Sequence, residues 1–425
     1  MENLDHDVLE NILFRLPLGT ATSQANLVCK SWKTILYNKR HNEVGILFTC
    51  NEYKDGFKHS QVQLCFGEEY DHIDCNKMNY YYSHETLMEM GHCRFAFKSH
   101  AFYGILVGSC NGLVCFQKED LGDKYIREAF AICNPLTGEF ISLKANLSRA
   151  GDYCPLPLVV SSGFGYCQST GEYKVVRIYN ISEEQLVSYA QVYTIGSNKW
   201  RDMETFIDVA FSYESGPGIF ANGVLHWLGY DQEADRIIVF DLKDEKFGKL
   251  SLPPPEADEL EDSEDPCNEL RFLGGNLCWV KRAWSWSYME IWEYKKNNLN
   301  TNNARYGMEE HDKIQDYCSG NSWNWVKDFS IDISEHYIQT FAITKSNQVL
   351  ILGACNLYCY DPETRAISSH RDDRCMRHVL THAKLCFVER FRGNMRVKRI
   401  ILAASVSVSK VSLRACDHPY VYPMV

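Results

Sequence analysis

The chain has 425 residues, 45% of them hydrophobic and 13% aromatic, with a formal net charge of −11. That length allows a large core in two or three domains. The acidic balance argues against nucleic acid as the principal partner, since phosphate binding needs a basic footprint. No apolar run approaches the roughly 20 residues of a membrane-spanning helix, Ile400 to Val406 being the nearest.

In chain order, the first element is an amphipathic helix. Leu4, Val8, Leu9, Ile12, Leu13 and Leu16 recur at helical spacing, which predicts one apolar face from about Asp5 to Leu16, ended by Pro17. A second helical pattern runs from Leu27 to Leu36 around Val28, Trp32 and Ile35. So small a unit cannot bury both faces alone, so part of its apolar surface is expected to meet a partner.

Beyond these helices two β-elements repeat. The first is a pair of apolar runs around a tight turn: Ile105 to Phe116 around Asn111-Gly112, Ile219 to Leu228 around Asn222-Gly223, and Arg271 to Trp279 around Gly274-Gly275. Such dipeptides predict type I′ hairpins, because both central residues must take φ > 0. The second element aligns without gaps over Cys133–Phe140, Tyr193–Trp200, Phe240–Phe247 and Tyr360–Ile367. Each copy ends a strand, supplies an Asn, Asp or Thr to hold a turn, and places a large apolar residue six positions on. Two hairpins per repeat make a four-stranded sheet, and repeats of about 50 residues predict a β-propeller. Six blades are expected, five or seven being the alternatives.

A damaged copy lies between the third and fourth. Its strand ends at Ile291 to Tyr294 and the outgoing strand resumes near Ser322 to Lys327, so the polar stretch 297–321 is expected as an insertion at a turn. A second loop, Pro253 to Asp265, is rich in Asp and Glu and expected to be solvated. Ring closure is expected to pair Gly45 to Phe48 with Leu385 to Val388 or Arg399 to Val406, because closure removes exposed edges.

The N-terminal residues resemble an F-box. The resemblance rests on Leu4, Asp7-Val8-Leu9, Ile12-Leu13, Arg15-Leu16-Pro17, Val28-Cys29-Lys30, Trp32-Lys33 and Ile35-Leu36, with Asp5 where the family has proline. The segments from Phe95 to Asp361 resemble the plant F-box-associated interaction domain, of kelch-like type. They match through Gly108 to Leu113, Asn134 to Thr137, Gly163 to Tyr166, Tyr173 to Arg177, Trp200-Arg201, Asn222 to Trp227 and Ile237 to Leu242, in the family's order.

The resemblance implies an α+β multidomain protein: a three-helix F-box over 1–41, an all-β propeller-like domain over 42–412, and a tail over 413–425. It implies docking to a Skp-type adaptor subunit of a cullin–RING ubiquitin ligase, with the β-domain holding a target protein. Leu4, Val8, Leu9, Ile12, Leu13, Leu16, Pro17, Leu27, Val28, Trp32 and Ile35 are carried over as docking or supporting residues. Irregular loops over a rigid scaffold often carry recognition, which makes 256–269 and 297–321 the candidates for target contact.

Catalytic patterns are poorly matched. Gly108-Ser109-Cys110-Asn111-Gly112 has the outline of a nucleophile elbow, but strand residues follow Cys110 where an elbow needs a helix, so a hairpin is the expectation. His226 on a strand reads as a packed or polar-face histidine rather than a general base. The 18 cysteines include no C-x-x-C pair, so no metal or cofactor is expected. An acidic N-terminus without a signal-like run places reduced cysteines in cytosol or nucleus. The rival reading is a free-standing propeller that binds or hydrolyses a small molecule or glycan; a third is an F-box protein that engages the adaptor subunit without a cullin.

Overall fold

The structure, a computed structural model, describes residues 6–14, 28–32, 35, 44–54, 59–68, 84–89, 104–121, 126–134, 139–144, 158–180, 188–203, 209, 211, 216–230, 235–254, 268–282, 288–297, 314–319, 322–332, 339–343, 347–352, 356–371, 378–384 and 398–399. Helix α1 spans His6–Phe14, with Asp7 in its first turn, where a negative charge meets the positive end of the helix dipole. Residues 30–32 and 35 are also helical. The stretch between these two segments, 15–27, lies outside the described residues.

Twenty-five strands follow among the described residues. The first sheet begins with β1 (Val44–Lys54), β2 (His59–Glu68) and β3 (His84–Glu89). The second contains β4 (Gly104–Cys110), β5 (Leu113–Leu121), β6 (Ile126–Asn134) and β7 (Glu139–Lys144), and the third β8 (Leu158–Cys167), β9 (Glu172–Asn180), β10 (Ser188–Thr194) and β11 (Trp200–Asp202). Next come β12 (Ile219–Ala221), β13 (Val224–Tyr230), β14 (Asp235–Asp241) and β15 (Lys246–Leu250). The fifth sheet has β16 (Glu269–Leu273), β17 (Asn276–Arg282), β18 (Tyr288–Lys296) and β19 (Trp323–Asp332). The sixth has β20 (Gln339–Ile343), β21 (Val349–Leu352), β22 (Asn356–Tyr360) and β23 (Ile367–Arg371). Finally β24 (His378–Lys384) joins β1, and β25 (Lys398–Arg399) joins β7. Five sheets have the expected four strands, and the one containing β4 has five, widened by β25.

The innermost strands touch in succession, β4 against β8, then β12, β16, β20, β24 and back to β4, so the sheets stand around a ring. This is a propeller arrangement. Its closing sheet takes its inner strand from late in the chain and its outer three from the start, in the order β24-β1-β2-β3. Closure near Gly45 to Phe48 is as expected, but the late partner differs. Val44 pairs Lys384 and Ile46 pairs His382, just before the expected Leu385 to Val388. Arg399 instead pairs Glu139 of β7, and 400–406 lies outside the described residues.

Turn chemistry sets the register. Asn111-Gly112 has φ of 46° and 81°, Asn222-Gly223 54° and 80°, and Gly274-Gly275 58° and 93°, the all-positive signature of type I′ hairpins. The four aligned turns also pair as the alignment predicts: Cys133 with Phe140, Tyr193 with Trp200, Phe240 with Phe247 and Tyr360 with Ile367. In two of them the carboxylate acts as the turn support: Asp241 Oδ1 accepts from the Lys243 amide at 2.7 Å, and Asp361 Oδ1 from that of Glu363 at 2.9 Å.

Apolar runs such as Ile237 to Phe240 are continuous because both faces of these sheets are covered. Ile237 and Val239 pack toward the sheet of β16–β19, whereas Ile238 and Phe240 pack toward that of β8–β11. The core thus lies as slabs between successive sheets. Glycine permits the closest approaches. A methyl group on Gly218 would lie 2.4 Å from the Trp227 ring, and one on Gly165 2.5 Å from Phe220. Both would be overpacked.

Charge joins the sheets of β8–β11 and β12–β15. Buried Lys174 donates to the Leu242 carbonyl at 2.7 Å and to Glu245 at 2.9 Å, and Arg201 reaches both Glu245 oxygens at 2.7 and 2.9 Å. Burial pushes the Glu245 carboxyl up, but the hydrogen bonds and charges of Arg201 and Lys174 outweigh it and hold it below the usual range. A depressed carboxylate contributes stability that is present above the unfolded pKa of about 4.3 and is lost as pH falls through the folded value. Urea titrations should therefore find Glu245→Gln less stable than the parent at pH 7, with the gap closing toward pH 3. A constant gap would refute the assignment.

Candidate functional site

Along α1 the apolar positions divide. Leu13 is fully buried and Leu9 half-buried, whereas Val8 and Ile12 are 46% and 48% exposed. Val8 and Ile12 stand one helical turn apart and so occupy one face. In the second helical segment Ile35 is buried and Trp32 half-buried, and Val28, in the turn just before it, is 60% exposed. Sequence spacing could not separate residues that pack internally from residues left for a partner. The burial pattern divides them only by exposure: Leu13 and Ile35 point in, Val8, Ile12 and Val28 point out. Leu4, Leu16, Pro17 and Leu27 lie outside the described residues.

The residues singled out for chemistry are structural. Cys110 is the last residue of β4 and pairs with Leu113 across the Asn111-Gly112 turn, so its neighbourhood is a hairpin and not an elbow. His226 is fully buried on β13. Its Nδ1 lies 3.0 Å from the Ile219 carbonyl, which can only accept, so Nδ1 carries the proton and Nε2 accepts from the Tyr317 hydroxyl at 2.9 Å. Burial lowers the imidazole pKa to about 4, against a smaller opposing effect of the Ile219 carbonyl. With both ring nitrogens engaged and no exposure, it has no path to a substrate proton.

That geometry makes a pH prediction. A histidine kept neutral in the fold binds its proton only after unfolding, so stability falls as pH drops from about 6.5 toward 4. Across that window the parent should lose on the order of 3 kcal/mol that a His226→Gln variant retains. Parallel losses in the two proteins would contradict it.

Tyr317 is the residue that sequence reading missed. It belongs to α2 (Ile314–Cys318), a one-turn helix inside the 297–321 insertion. Ile314 and Tyr317 are buried, Tyr317 stacks edge-on against Tyr294 and Trp323, and the Tyr294 hydroxyl donates to the Tyr317 carbonyl. The Asn297 amide donates to the Ser322 carbonyl at 2.7 Å, closing the base of the insertion. The insertion at a turn is as expected, but its described part packs into the core between two sheets instead of offering itself as a free contact loop. The only sequence signal was the Ile314/Tyr317 spacing, too short to mark a helix. Of the acidic loop, 255–267 lies outside the described residues.

A ring of antiparallel sheets with these histidine and cysteine side chains locked into hydrogen bonds and turns defines a β-propeller protein, with an exposed aliphatic face on its N-terminal helix. Residues 57–292 match the F-box associated beta propeller domain family. Among similar proteins of Arabidopsis thaliana, one named as F-box only protein 9 is 24% identical over 370 residues, covering 84% of this chain and 89% of that protein. The F-box/kelch-repeat protein At3g23880 is 27% identical over 59% of this chain and 66% of its own length; F-box protein At3g07870 is 26% identical over 78% and 73%. The chain belongs to this family as a plant F-box protein with an F-box-associated β-propeller domain.

Proposed function

We propose that this protein is the substrate-recognition adaptor of a Skp–cullin–F-box ubiquitin ligase, working in cytosol or nucleus. The N-terminal helices dock to the Skp-type subunit, and the propeller presents a target protein for ubiquitination. The observation that carries this reading is the outward placement of Val8 and Ile12 on the first helix, and of Val28 in the turn before the second, where Leu13 and Ile35 are already buried. A half-sealed helical unit gains stability when a partner covers the remaining aliphatic surface. The family assignment and the names of the relatives support the same role.

The contribution to chemistry is proximity. Holding a target beside a charged conjugating enzyme makes an intermolecular encounter effectively intramolecular, without any bond being made or broken by this chain. No catalytic residue is assigned.

Co-purification tests the proposal. The full chain should recover a Skp-type subunit together with cullin, and a chain starting at residue 42 should recover neither. Equal recovery by both chains, or none by either, would overturn it and favour a free-standing binding propeller. Recovery of the Skp-type subunit without cullin would leave an adaptor-binding protein outside the ligase.

A further inference from the structure

We draw no further inference here: the strongest candidate, the outer edge of strand β19 with its exposed Val326, is interrupted by the bulge that leaves Asp328 out of the pairing with β18, and nothing in the structure shows what covers it.

Discussion

Replacing Val8 and Ile12 together with aspartate will abolish recovery of a Skp-type subunit while leaving the propeller folded. Each side chain is already about half-covered, so burying the remainder contributes about 0.7–1.5 kcal/mol, and losing two removes about 1.5–3 kcal/mol, on the order of ten- to a hundredfold in affinity. The cost to the free protein is small because both positions are half-exposed, and aspartate lowers helix propensity by less than about 0.7 kcal/mol per site. Thermal unfolding of the propeller should therefore match the parent, while the pull-down fails. Leu13→Asp is the contrasting variant. It places a charge at a fully buried site, so it should lose binding through loss of the helical unit itself. A Val8→Asp, Ile12→Asp protein that still recovers the subunit would remove the central support for the proposed role.

Trp227→Ala will destabilise the propeller by about 3–5 kcal/mol, the usual cost of truncating a buried tryptophan. Trp227 is almost completely buried, packs between the sheets of β8–β11 and β12–β15, and donates its indole N–H to the Ser162 carbonyl at 3.3 Å. Its ring also explains Gly218 and Gly163, where an added methyl group would come within 2.4 and 2.8 Å of it. Gly218→Ala alone should cost about 1–3 kcal/mol through overpacking. Combined with Trp227→Ala, most of that second penalty should vanish, because the clashing ring is gone. Denaturant unfolding of the two single variants and the double variant measures the coupling. Simple additivity would mean that the ring does not dictate the glycine.

Local chemistry was the legible part of this fold. Asn-Gly and Gly-Gly fix their own backbone, and Asp241 and Asp361 hold their turns through hydrogen bonds to amides two and three residues on. The hairpins, their register and the outgoing apolar positions followed directly. His226 could be read as a packed or polar-face residue and not a base, since spacing suggested no nearby carboxylate, but which of the two it was could not. Its partner could not be read, because Tyr317 lies 91 residues away in an insertion that looked merely polar.

By itself, then, the sequence determined the repeating turns, the two-faced apolar strands and the helical stripe near the amino end. Each depends on contacts within a few residues, where periodicity and side-chain chemistry suffice. Only the tertiary structure decided that His378–Lys384 completes the closing sheet, that Ile314 and Tyr317 plug a seam between sheets, and that Val8 and Ile12 face outward while Leu13 faces inward. Those outcomes depend on which surfaces distant segments happen to cover, and burial is a property of the assembled neighbours, not of the residue that is buried.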